Sequence, residues 1–188
     1  MILTGRQIDH ERSLGRLVIE PFLPERLEPN SYGFTLGDTV MTYADTVLDP
    51  RSEPRILEEV ISADGYEFLP GRIYLASTAE RMGSDNYAAT LHARLSTSLL
   101  GVWIQYSAPL GHAGAIIPWT LEIKVERPVR LYPGMLIGKL AFWKMHGPAQ
   151  TYDGKYTGSQ GAMASRIWTE TSAPGQHAPL LVSEEVLV

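Results

Sequence analysis

The sequence predicts a mainly β fold with one short helix at its N-terminus, and three observations predict it. Glycine and proline are frequent, at 17 and 13 of 188 residues, so turns cut the chain into short elements. Between the cuts stand runs of strand length rich in β-branched and aromatic residues, such as GVWIQYS and TLEIKV. Pro-Gly recurs at 70–71 and 133–134 with apolar runs on both sides, the pattern of strand, turn and strand. The length suits one well-packed domain, expected over residues 1–170, with a C-terminal tail at 171–188.

In order along the chain, TGRQIDHERSLGR has a threonine cap, Ile8 and Leu14 amid polar residues, and a stop at Gly15. It predicts a short helix packed on one edge. LVIEPF predicts a strand broken by Pro21, and LEPNSYGFTLGD a turn followed by an alternating segment. MTYADTVLDP predicts another short strand, and the charged stretch 51–61 a loop or covering turn. YEFLPGRIYLASTAERM and RLYPGMLIGKLAFWKM each predict two strands around Pro-Gly, as in a fold rich in hairpins. QTYDGKYTGSQ, polar and glycine-rich, predicts a mobile loop or lid. The final TSAPGQHAPLLVSEEVLV reads as a linker with an apolar end.

A formal net charge of −5 gives no basic field for a nucleic-acid polymer, although a small phosphate ligand needs only a local cluster. The absence of cysteine removes disulfides, thiolate nucleophiles and Cys-ligated zinc together. The opening residues carry charges every few positions and no run is long enough to cross a bilayer, so a cytoplasmic protein with no membrane partner is expected.

The chemistry concentrates between His92 and Val125. Glu122 stands within TLEIKV, where a carboxylate is costly unless paired or used, and apolar surroundings would raise its pKa. A strand acid facing solvent or an ion pair would give the same sequence. Arg94, Ser96 and Thr97 combine guanidinium and hydroxyl donors on a tight turn, a set suited to phosphate oxygens and equally to a capped surface turn.

Taken together, MILTGRQI, GRLVIEPF, PNSYGFTLGD, FLPGRIYLASTAER, ARLSTSLLGV, TLEI, RPVRLYPGMLIGKLAF and KYTGSQGAMASRI resemble the dCTP deaminase branch of the dCTP deaminase and dUTPase superfamily, over residues 1–167. The resemblance implies a distorted, jelly-roll-like β barrel of dUTPase type, a homotrimer with nucleotide sites between subunits, and a pyrimidine nucleotide as partner. It implies that Glu122 is the catalytic general acid and base and that the Ala108 carbonyl holds the water. Arg94 and Ser96 match the leading arginine and second serine of a GRSSxxR motif. In the lid, Tyr152, Lys155 and Tyr156 match residues that cover the nucleotide and reach its phosphate. Gln160 matches a glutamine one residue out of step, and Arg166 is placed to close the loop onto a neighbour.

The pattern is broken at three places. Leu95 replaces a serine, Leu99 replaces the second arginine, and His112, in SAPLGHAGA, replaces the acid that contacts deoxyribose. Ala113 and Ala115 stand on a loop that is bulkier in relatives. The function expected is metal-independent hydrolytic deamination of a cytosine nucleotide, dCTP or a less phosphorylated or modified relative. The zinc motifs of other cytosine deaminases are absent, no cofactor is expected, and magnesium enters only as a nucleotide counter-ion. A dUTPase-type hydrolase and an inactive nucleotide-sensing or protein-binding trimer are the alternatives.

Overall fold

The computed structural model describes residues 1–148 and 150–171. The elements in chain order are helix α1 (Gly5–Ser13), strands β1 (Val18–Glu20), β2 (Leu27–Glu28), β3 (Ser31–Tyr43), β4 (Ile56–Val60), β5 (Tyr66–Phe68), β6 (Tyr74–Gly83) and β7 (Tyr87–Ala93), then helix α2 (Leu95–Leu99). Strands β8 (Val102–Trp103), β9 (Leu110–Gly111), β10 (Ile117–Val125), β11 (Val129–Leu131) and β12 (Leu136–Lys144) follow, and helix α3 (Trp168–Thr171) closes the described chain. Ten strands form one antiparallel sheet in the order β8-β10-β6-β3-β12-β7-β9, with β1 on β6 and β2 and β4 on β3. The sheet curls strongly into a half-barrel, as the mainly β reading requires. The core inside the curl holds Tyr32, Phe34, Leu36, Leu121, Ile123, Leu140 and Phe142, all fully buried.

The helix and its cap form as expected. Thr4 Oγ1 accepts from the Gln7 amide, Ile8 is buried, and the chain leaves the helix at Gly15, whose φ of 71° lies in the left-handed region.

Four expectations are corrected. The segment Met41–Tyr43 continues β3, so one 13-residue strand replaces the two expected. Residues 31–37 are buried without alternation, because Gly33 lies under the Leu136 side chain and the Arg26 carbonyl, Thr35 bonds Glu80, and Gly37 lies against Ser77. The charged 51–61 stretch contains β4, an edge strand on β3; its acids face water, which is why its composition reads as a loop. The two Pro-Gly turns are not hairpins. Strand β5 pairs with β11 as a separate two-stranded sheet, while β6 and β12 join the large one. Gly71 and Gly134, with φ of 85° and 74°, thus mark corners where the chain passes between sheets.

Glu11, on α1, is almost fully buried and accepts from Arg16 Nε at 2.6 Å and Nη2 at 2.7 Å. The Arg16 guanidinium, opposed by burial and helped by Tyr87 and Gln7, holds its carboxyl down at about 2 from an ordinary 4.5. A depressed carboxylate stabilises the fold fully above its unfolded pKa and loses that contribution as pH falls through the folded one. The stability gap between wild type and Glu11→Gln is therefore expected to be full at pH 5 and to shrink between pH 4.5 and 2. Urea melts at several pH values measure it, and a gap that does not change would refute the assignment.

Candidate functional site

Strand β10 pairs with β6, which sets Glu122 opposite Leu75. Strand alternation turns Leu121 and Ile123 into the core and Glu122 to the opposite face, where it is half-buried. The apolar neighbours that drew attention to Glu122 therefore lie on the wrong side of the strand to surround it. Its apolar company comes from across the sheet and from the C-terminal segment. Glu122 lines a cleft of about 410 Å³ together with Ile73, Leu75, Trp119, Tyr156 and Met163.

The run Ile104–Ala108 is clamped against this strand. The Glu122 amide donates to the Ile104 carbonyl at 3.0 Å, and the Tyr106 amide donates to Glu122 Oε2 at 2.9 Å. One carboxylate oxygen is thereby held by backbone, and the carboxylate makes no second hydrogen bond among the described residues. Ala108 follows directly on this clamp and lines the same cleft, so Glu122 and Ala108 are brought together.

Trp119 forms the inner wall. A register shift between Pro118 and Thr120 lets its amide donate to Thr78 Oγ1 and its indole Nε1 to the Met82 carbonyl, each at 2.9 Å. The ring lies where a side chain on Gly111 would be: a Cβ there would stand 1.6 Å from the indole. The glycine before His112 is thus fixed by the cleft wall.

Residues 150–171 lie over the sheet of the same chain. Tyr152 N–H donates to the Ala113 carbonyl, Met163 N–H to Thr120 Oγ1 and Ser165 N–H to Tyr43 Oη, at 2.7, 3.0 and 3.1 Å. Tyr156 enters the cleft and its Oη accepts from the Arg166 amide, while Arg166 Nη1 donates to the Lys155 carbonyl at 2.5 Å. Arg166 thus closes the lid upon itself. The Lys155 ammonium donates to Glu170 Oε1 at 2.5 Å, and this bond raises its pKa above the ordinary lysine value.

The other expected residues take separate places. His112 is exposed and stacks on Tyr152, with ring centroids 5.7 Å apart. Ala113 and Ala115 are buried and are not among the residues lining the cleft. Gln160 lies in a different cavity, beside Gly37, Asp38 and Thr78, and donates to the Gly158 carbonyl. Its neighbour Ser159 is the one that lines the Glu122 cleft, as the one-residue offset hints. The hydroxyl-rich turn is the one-turn helix α2: Ser96 is exposed, Thr97 is buried with no hydrogen-bond partner for Oγ1 among the described residues, and Arg94 faces Glu28. None of these three lines the cleft. Leu95 and Leu99, 74% and 76% exposed, present an apolar ridge beside them.

Among the described residues no helix is long and apolar enough to cross a membrane. The family model described as dCTP deaminase-like matches residues 2–145. A protein of Rhodopirellula baltica named dCTP deaminase is 38% identical over 148 residues, 78% of this chain and 74% of that one. One of Clostridium acetobutylicum named dCTP deaminase, dUMP-forming, is 34% identical over 172 residues, 90% of this chain and 98% of that one. The crystal structure of 2'-deoxycytidine 5'-triphosphate deaminase from Agrobacterium tumefaciens superposes with a TM-score of 0.60 at 21% identity, over 77% of this chain. The match covers 48% of that longer chain and establishes the shared fold.

Proposed function

We infer the activity from one premise: this chain belongs to the dCTP deaminase-like family. It hydrolyses the 4-amino group of dCTP, without a metal at the reacting carbon, giving the uracil nucleotide and ammonia. The observation that carries the reading is the half-buried Glu122 in an apolar cleft under a seated lid, with one oxygen pinned by the Tyr106 amide. The other oxygen is left to handle a water. About 410 Å³ falls within the roughly 300–1,000 Å³ usual for small-molecule sites.

In this reading water held by Glu122 and the Ala108 carbonyl adds to C4, and Glu122 takes its proton. The carboxyl passes the proton to N3, then shuttles a second from the new hydroxyl to the amine. Ammonia leaves, the C4–N bond breaks and a C4 carbonyl forms; one water is consumed. The same carboxyl thus acts first as base and then as acid. Tyr156 and Met163 exclude bulk water, and Lys155 reaches phosphate once Glu170 releases it.

The site is completed by assembly. The exposed Leu95, Leu99, Leu100 and Trp103 form an apolar surface for a second copy of the chain, and a homotrimer would bring Arg94 and Ser96 to a neighbour's nucleotide. The relatives named dUMP-forming also remove phosphate, but the loop PLGHAGA around His112 carries no carboxylate to activate a water for that step. The product expected is therefore dUTP.

Incubation with cytosine mono-, di- and triphosphates, followed by chromatography and ammonia assay, tests this: dUTP and ammonia should form in equal amounts from dCTP, by protein that sediments as a trimer. No ammonia from any of them would sink the reading, and dUMP as the product would refute retention of the phosphates.

A further inference from the structure

We propose that Tyr43 and Thr120 are positioning residues for the reaction: their hydroxyls seat the segment 156–166 over the Glu122 cleft and so fix the wall that faces the carboxylate. The proposal deepens the nucleotide reading above and rests on it.

Both residues stand on the face of the sheet that carries Glu122. Leu75 of β6 pairs with Glu122 of β10 on one side and with Met41 of β3 on the other. Thr120 lies two residues before Glu122 and Tyr43 two residues after Met41, so strand alternation turns both to the cleft, and both line it. Tyr43 also lines a second pocket of about 120 Å³, walled by Leu48, Pro50, Pro54 and Ile167. Its ring thus stands between the cleft and the place where the chain packs on the 48–54 loop.

The facing wall has no strand of its own. Tyr156, Ser159, Met163 and Ser165 all line the cleft, yet residues 153–166 contain no strand. Among the described residues two hydrogen bonds join this segment to the strands: the Met163 amide donates to Thr120 Oγ1 at 3.0 Å, and the Ser165 amide to Tyr43 Oη at 3.1 Å. Both acceptors are hydroxyls of the cavity that the segment covers. The bonds from the Arg166 amide to Tyr156 Oη and from Arg166 Nη1 to the Lys155 carbonyl run within the segment, so they keep its shape and not its place. A neutral hydrogen bond contributes modestly in net terms. Two of them therefore hold a wall that can lift to admit a nucleotide and settle again around it, where a full strand ladder would lock it down.

The test compares wild type, Tyr43→Phe, Thr120→Val, Thr120→Ser and the double variant Tyr43→Phe with Thr120→Val, in tryptic cleavage after Lys155 and Arg166 and in dCTP kinetics. Phenylalanine keeps the ring and valine the shape, so each removes little beyond the acceptor. Cleavage of a transiently opened segment follows its open population. Loss of one peg is expected to speed cleavage by about twofold to tenfold, and loss of both by about fivefold to a hundredfold. The double variant's kcat/KM for dCTP should fall severalfold, through KM more than kcat, because a bound nucleotide reseats the segment. Thr120→Ser keeps the acceptor and should match wild type in both measurements. The proposal is overturned if the double variant is cleaved no faster than wild type, if it is cleaved faster with kcat/KM unchanged, or if Thr120→Ser behaves as Thr120→Val. A urea midpoint that falls in step with the cleavage rate would also overturn it, as global unfolding. Failure of the deaminase reading shows separately, as a wild type that releases no ammonia while the double variant is still cleaved faster.

Discussion

Glu122→Gln is expected to lower ammonia release from dCTP by about a thousandfold or more, with dCTP binding changed by less than about fivefold. General acid–base catalysis by one positioned group contributes about 10²–10⁴-fold, and in this mechanism one carboxyl serves successive transfers. Glutamine is nearly the same size and its amide oxygen can still accept from the Tyr106 amide, so the clamp through Ile104–Ala108 should persist. What disappears is the capacity to take and return a proton. Single-turnover kinetics separate the chemical step from binding, and calorimetry with dCTP checks that the site is intact. A variant retaining more than about a tenth of the wild-type rate would show that the proton is carried elsewhere. Loss of binding equal to the loss of rate would show instead that Glu122 holds substrate.

Local rules exposed much of this fold, and the exceptions share one cause. The α1 cap, the breaks at glycine and most strand-forming runs depend on residues near in sequence and appear where expected, whereas GVWIQYS keeps only Val102–Trp103 as strand. Pairing between strands does not. The two Pro-Gly turns look like hairpins because each joins two strands, but the partner of β5 is β11, more than sixty residues away. The reading of Glu122 shows the same division. TLEIKV marks it as an odd acid in a strand, yet Leu121 and Ile123 face the other way, and its apolar company is Leu75, Trp119 and Met163. Glu122 and Ala108 line one cleft although fourteen positions separate them. Ser159 was hidden by a one-residue offset from Gln160.

The acid that sequence pattern passes over altogether is Glu80. It lies in STAER on β6 and is fully buried. Its carboxylate forms an ion pair with Arg26 and accepts from the Thr35 amide at 2.9 Å and the Thr35 hydroxyl at 2.8 Å. These partners come from the turn before β2 and from β3, so one carboxylate ties three segments of the half-barrel wall together. Removing one partner of such a pair leaves the other charge buried and uncompensated, which typically costs about 3–5 kcal/mol. Glu80→Ala should therefore lower the melting temperature by on the order of 10 °C, since about 2–4 °C is lost per kcal/mol in a domain of this size. Glu80→Gln should cost less, because it can still accept from Thr35 while losing the charge that Arg26 requires. Pairing Glu80→Leu with Arg26→Met should recover much of the loss, because an apolar pair of similar volume leaves no stranded charge. Urea denaturation of the three variants measures the series. A cost below about 1 kcal/mol for Glu80→Ala would mean that water replaces the carboxylate, and that the wall does not depend on this ion pair.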